Sequence, residues 1–259
     1  NNYLMELVDT HCHINYLDVD EIESVIQRAL NVGVKKIFIP NVDSSSVQPM
    51  LEVCNKYKNI CFPLIGLHPT SVKSDFEKEL KDIFNHYDKS VFYAVGEIGL
   101  DFYHDRTFIN EQLYVLKKQI DFALNEDLAV NIHVRNSFNE VLKLLKEYKN
   151  QKFKGIFHCY SGNVIQAHEV IKMGFSLGIG GVVTYKNSGM AEVVKEIDLE
   201  NIVLETDSPW LTPVPFRGQK NEPSFILNIA QKVAEIKNIS VEQVAYQTTV
   251  NAEKIYSRV

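Results

Sequence analysis

The richest chemistry in the chain begins at Asp9-Thr10-His11-Cys12-His13. On an extended strand, residues two apart project to the same side, so His11 and His13 can present two imidazoles to one transition metal. Four more candidate ligands follow at wide spacing: Glu97, His133, His158 and Asp207. Each lies just past a short apolar run that reads as a strand. Nitrogen and oxygen donors converging from several strands are the inventory of a two-metal hydrolytic site, and structural zinc sites are rarely built this way. Imidazole and carboxylate together suit Zn²⁺, Mn²⁺ or Fe²⁺ better than Mg²⁺, which prefers oxygen and water. Alternation also places the carboxylates of Asp9 and Glu205 inward, beneath the histidines and Asp207. Hydrogen bonds to metal-bound imidazoles or a salt bridge to a buried Lys or Arg would each neutralise that crowding.

Such residues need a frame that delivers strand ends to one place. Runs reading as strands are Leu4–Asp9, Lys35–Ile39, Ile60–Ile65, Val91–Val95, Ala129–Ile132, Gly155–Phe157, Phe175–Ile179 and Asn201–Leu204. Amphipathic helical stretches lie between them, such as Ile22, Val25, Ile26, Ala29 and Leu30, or Leu113, Leu116, Ile120, Ala123 and Leu124. Eight strand–helix units in roughly 250 residues is the arithmetic of a (β/α)8 TIM barrel, whose sites form at the C-terminal mouth. The alternative, a doubly wound open sheet, usually carries a glycine-rich phosphate loop after its first strand. Here Asp9–His13 stands in that place. No linker or change in composition divides the chain, so residues 1–259 read as a single TIM-barrel domain of the α/β class with the metal site at its mouth.

Composition narrows the function. The 259 residues carry 33 acidic and 27 basic side chains, a net charge of −6, which argues against a protein that coats DNA through a broad basic surface. No apolar run approaches the ~18–20 residues of a membrane span. The four cysteines, Cys12, Cys54, Cys61 and Cys159, form no CxxC pair and read as free thiols in a reducing, cytoplasmic setting.

Five segments in order carry a family resemblance: Asp9-Thr10-His11-Cys12-His13, Gly66-Leu67-His68-Pro69, Gly96-Glu97-Ile98-Gly99-Leu100-Asp101, His158-Cys159-Tyr160-Ser161-Gly162 and Glu205-Thr206-Asp207-Ser208-Pro209-Trp210-Leu211. Arg217-Gly218, Asn221 and Pro223 continue the last. Taken together they resemble the TatD-type metal-dependent deoxyribonucleases, within the wider amidohydrolase-like barrels, over essentially the whole chain. The resemblance implies that His11 and His13 bind one divalent ion, His133 and His158 a second, and that Glu97 bridges the two. Asp207 would be a ligand beside the attacking water and its proton acceptor. Related barrels often bridge with a modified lysine; Glu97 points to the TatD branch. The family is described as Mg²⁺-dependent, so the tightly held and the working metals can differ. Tyr160 stands where Phe is common and Trp210 where Tyr is common, and both remain aromatic.

The implied reaction is hydrolysis of DNA phosphodiesters, trimming single strands from the 3′ end, with the polarity taken from the resemblance alone. His68 is implied to line the site and touch phosphate; it also reads as a loop-stabilising histidine. Arg217 and Arg135 could clasp phosphates, or lie in surface salt bridges. Tyr103, Tyr160 and Trp210 could stack on unpaired bases, or simply pack. His104 could reach substrate, while His86 and His168 read as solvated. A runner-up keeps the metals and attacks a carbonyl instead, as in deacylation of mischarged aminoacyl-tRNA or hydrolysis of a small amide. A metal-dependent binding module is a distant third. The expected partner is DNA at single-stranded ends, with no membrane, acted on by a monomer.

Overall fold

In the computed structural model, residues 5–257 are described. Leu4, the expected start of the first strand, lies outside them. Among the described residues, eight strands run β1 Leu7–Asp9, β2 Val34–Pro40, β3 Cys61–Leu64, β4 Ala94–Asp101, β5 Ala129–Arg135, β6 Gly155–Phe157, β7 Phe175–Ile179 and β8 Ile202–Leu204. The helices between and after them are α1 Val19–Asn31, α2 Ser44–Lys56, α3 Phe76–Phe84, α4 Ile109–Asn125, α5 Phe138–Lys146, α6 Val164–Lys172, α7 Met190–Glu196, α8 Ile226–Lys237 and α9 Val241–Tyr256. The helices form where the apolar spacing demands. In α1 the buried face is Ile22, Val25, Ile26 and Ala29; in α4 it includes Val115, Leu116, Ile120 and Ala123. Capping boxes start α2 at Asp43, α6 at Asn163 and α9 at Ser240, satisfying first-turn N–H groups.

All strand pairs are parallel, in two arcs, β1-β2-β3 and β4 through β8. Backbone bonds join the arcs at both seams. Ile65 N–H donates to Ala94 O (3.1 Å) and Gly96 N–H to Ile65 O (2.9 Å) at one, and Thr10 N–H to Leu204 O (3.0 Å) and Asp207 N–H to His11 O (2.9 Å) at the other. This is the α/β barrel expected from the sequence. Its lower interior is filled by Val8, Phe38, Leu64, Ala94, Ala129, Ile156 and Val203, and α9 closes that end with Ala252 and Tyr256. No helix is long and apolar enough to cross a membrane among the described residues. All four cysteines are free thiols, and Cys12, Cys54 and Cys61 are buried.

Two strands depart from the expected bounds in a way that matters. β4 does not stop at Val95, nor β5 at Ile132. Gly99 pairs with His133, Leu100 with Val134 and Asp101 with Arg135, so Glu97 and His133 lie within strands rather than after them. In β4 the glycines explain why the pattern hid this. A Cβ at Gly99 would sit 1.9 Å from His133 O, and one at Gly96 would sit 2.5 Å from Asn131 Cβ. Glycine weakens a strand signal, yet only glycine lets β4 lie this close to β5. In β1, Val8 takes the inner face. Asp9 instead reaches the segment just after β8, its carboxylate accepting from Thr206 N (2.9 Å), Thr206 Oγ1 (2.5 Å) and His11 N (3.3 Å).

Candidate metal centre

Glu97 is the hub. It is 3% exposed, and its two carboxylate oxygens face two different sets of imidazoles. Oε2 lies 3.2 Å from His11 Nε2 and 3.4 Å from His13 Nε2. Oε1 lies 2.7 Å from His133 Nδ1, 3.3 Å from His68 Nε2 and 3.6 Å from His158 Nε2. Asp207 Oδ1 lies 3.8 Å from the Nε2 atoms of both His11 and His13 and 3.7 Å from that of His158. The six residues anticipated as ligands thus meet at the barrel mouth, although they come from positions as far apart as 11 and 207. Asp207 and Cys159 hold positive φ, 53° and 44°. Backbone in that region is costly for residues other than glycine and is typical of functional sites.

The other ring nitrogens decide which lone pairs point inward. His11 Nδ1 meets Asn131 Oδ1 at 3.0 Å, so Nδ1 carries the proton and Nε2 offers its lone pair. His133 Nε2 meets Asp101 Oδ2 at 3.0 Å, which turns its Nδ1 toward Glu97. Asp101 also accepts from His104 Nδ1 (2.8 Å) and from the backbone N–H groups of Tyr103 and His104. His158 Nδ1 lies 3.1 Å from Glu205 Oε1 but off the line a hydrogen bond needs, while that oxygen accepts from Cys159 N at 2.5 Å. Neither Asp9 nor Glu205 pairs with a Lys or Arg among the described residues. His68 behaves differently. Its Nδ1 accepts from Thr70 N–H (3.1 Å), which puts the proton of the neutral ring on Nε2. His68 therefore presents a donor to Glu97, not a lone pair to a metal.

Electrostatics follow from burial and from Glu97. Burial opposes ionisation of Glu97, but His68, His11 and His158 outweigh it and hold the carboxyl well below its usual range. Burial pushes His158 down to about 3. It pushes on His133 too, but hydrogen bonds to Asp101 and Glu97 win and lift that ring to about 9. Asp207 is raised well above the ordinary carboxylate range, by burial first and then by the charges of Glu97 and Glu205. Burial also lifts Asp9 and Glu205 to about 7 each.

The donor set fits divalent cations. The Nε2 atoms of His11 and His13 face one another at 3.0 Å, both beside Glu97 Oε2. Buried lone pairs converging this closely repel unless a proton or cation lies between them. His13 Nδ1 and Glu205 Oε2 are also buried without hydrogen-bond partners among the described residues.

The residues expected to touch substrate divide. Trp210 is half exposed beside His13, with ring centroids 5.1 Å apart. Tyr103 is 60% exposed under the Arg135 guanidinium, which lies 4.4 Å from its centroid. Arg217 lies over Tyr185 at 4.1 Å. Among the described residues, neither arginine is tied into a carboxylate salt bridge. Tyr160 is the exception. It is 5% exposed and its hydroxyl donates to Asn163 O (2.7 Å), so it is wall rather than stacking platform. It borders a pocket of about 360 Å³ beside His158, also lined by Asn136, Asn139, Glu140 and Gln166. Sequence reasoning missed Asp101, which lies beyond the expected end of the fourth strand, and Asn131, which lies inside the expected fifth strand with alternation from His133 as its only signal. It also missed Tyr16, half exposed beside Trp210 with centroids 5.9 Å apart.

Comparison with known proteins agrees with this geometry. The family model for TatD related DNase matches residues 8–257. A Bacillus subtilis protein described as the uncharacterized metal-dependent hydrolase YabD is 38% identical over 255 residues, 96% of this chain and 98% of its own. The solved structure of YjjV, a TatD homolog from Escherichia coli K12, superposes with a TM-score of 0.92 at 26% identity, covering 99% of this chain and 100% of that one. A TatD family hydrolase from Entamoeba histolytica shares the fold, with a TM-score of 0.85 at 22% identity over 98% and 99% of the two chains. With its histidines and carboxylates gathered on Glu97, the chain belongs to the TatD-related DNase family of metal-dependent hydrolases.

Proposed function

We propose that this hydrolase binds two divalent ions and cleaves DNA phosphodiesters, preferring single-stranded ends. The observation that carries the reading is the division of Glu97: Oε2 toward His11 and His13, Oε1 toward His133 and His158. Asp207 Oδ1 adds a donor within reach of both sets. Two ions held there would supply the charge that a phosphodiester needs, to acidify a water and stabilise the leaving oxygen.

The chain's own residues do the rest. Asp207 turns Oδ1 to three imidazoles, which leaves Oδ2 to take the proton of the attacking water. His68 Nε2–H is aimed into the site and donates to a phosphate oxygen. Arg135 and Arg217 offer flat guanidinium forks, each held on a tyrosine ring, for flanking phosphates. Trp210 and Tyr103 provide exposed ring faces for unpaired bases. A site at the mouth of an acidic barrel has little with which to grip a duplex along its length, whereas a free end can enter.

The test is metal-reconstituted protein on end-labelled single-stranded, blunt duplex and closed circular DNA. Single strands should be cut fastest. Equal cutting of closed circles would refute end entry. On a panel of model phosphodiesters, esters and amides, release of carboxylate without hydrolysis of phosphodiesters would move the substrate to the carbonyl class.

A further inference from the structure

We propose that Tyr256, at the C-terminal end of α9, is a positioning residue for His11: it orients the Asn131 amide, which fixes the imidazole with its proton on Nδ1 and its Nε2 lone pair toward the metal centre. The chain of contacts is short and wholly buried. The Tyr256 hydroxyl lies 3.1 Å from Thr10 O and 3.0 Å from Asn131 Nδ2, and Asn131 Oδ1 lies 3.0 Å from His11 Nδ1. His11 and Asn131 are 0% exposed and Tyr256 is 4% exposed, so bulk water does not compete for these groups.

Each link allows one polarity. A backbone carbonyl can only accept, so the single phenol proton is committed to Thr10 O. The phenol then shows a lone pair to Asn131, which only the amide NH₂ can answer. That turns Asn131 Oδ1 to His11, which only an N–H can answer. In a neutral imidazole with Nδ1 protonated, Nε2 carries the free pair. Were the amide reversed, Nδ1 would have to accept and Nε2 would carry the proton, closing off the atom that faces Glu97 and His13.

The parts are held in place sideways as well. The Tyr256 ring stacks on Phe38 with centroids 3.9 Å apart, and Asn131 Cβ sits against Gly96, where a Cβ would come within 2.5 Å. His133 takes its orientation differently, from Asp101 and the mouth side. Among the described residues, the His11 chain runs down to the helix that closes the opposite end. The functional consequence rests on the reading of His11 as a metal ligand.

Tyr256→Phe keeps the ring and its stacking and removes only the hydroxyl. In metal-free protein, ¹⁵N NMR of the histidine rings should change His11 from one tautomer to a mixture. Equilibrium dialysis with Mn²⁺ should show about 10–100-fold weaker binding, the usual cost of losing such a support. Adding Asn131→Asp, whose carboxylate accepts whichever way it turns, should restore the single tautomer; a merely loosened α9 would not be rescued this way. A single unchanged His11 tautomer in Tyr256→Phe, or no rescue by Asn131→Asp, would overturn the proposal. So would unchanged Mn²⁺ affinity in Tyr256→Phe where His11→Ala lowers it. If His11→Ala itself leaves Mn²⁺ binding intact, the ligand reading fails, and the tautomer measurement still decides whether Tyr256 orients the ring.

Discussion

Replacing Glu97 by Gln tests the centre most directly, because the two side chains have nearly the same shape. The change removes a buried charge that lies within 3.6 Å of five imidazole nitrogens. It also aims an N–H pair at one histidine set, where a lone pair stood. Loss of a residue that merely supports a ligand costs about 10–100-fold in metal affinity. A carboxylate shared by two ions should cost at least the upper end of that range at each, about 100-fold or about 2.8 kcal/mol per ion. The assay is equilibrium dialysis against a Mn²⁺ or Zn²⁺ series with elemental analysis of the protein, beside the unsubstituted chain. Both ions should weaken together. If one is lost while the other binds as before, Glu97 is a ligand but no bridge. If both stay, the division of its oxygens between two histidine sets has been misread.

The remaining expectations concern the groups around it. Asp207→Asn should keep substrate binding and lose about 10²–10⁴-fold in turnover, the range of a general base. Trp210→Ala should raise KM by about 5–150-fold with little change in kcat, since stacking is worth about 1–3 kcal/mol per base and acts on ground and transition states alike. Single-turnover rates against substrate concentration separate the two; turnover loss alone in both variants would remove Trp210 from substrate binding. His133 is lifted to about 9 in the metal-free fold, so near pH 7.5 it is protonated and metal uptake must release that proton, whereas His158, near 3, is already neutral. Calorimetry in two buffers of different ionisation enthalpy should find close to one proton released from His133 per protein, fading as pH rises through 9. By the same sign, the stability His133 lends the metal-free protein is full below about 6.5 and lost as pH rises through about 9. Asp101→Asn should weaken metal binding about 10–100-fold and lower the His133 pKa, read by titration of its ring resonances.

Much of this molecule is legible in its sequence alone. The alternation of short apolar runs with amphipathic helices specified parallel strands with crossover helices. The residue types at the strand ends specified metal chemistry, because few other uses exist for histidines and carboxylates so placed. All of that is local information: period, spacing and donor type survive in a one-dimensional string. The extent of β4 did not, since Gly96 and Gly99 weaken the strand pattern while their value, close approach to Asn131 and His133, exists only across the sheet. The roles of Asp101 and Asn131 were hidden because their partners, His133 and His11, meet them only in the folded barrel. Tyr160 and Trp210 look alike in sequence as aromatic residues near the mouth, yet packing buries one and leaves the other half exposed. Tertiary structure alone also assigned the protons. Which nitrogen of His11, His68 or His133 faces Glu97 depends on what stands behind the ring: an amide 120 positions away, a backbone N–H two residues on, or a carboxylate 32 positions back. Sequence names the donors, but a lone pair acquires its direction only when the chain closes around it.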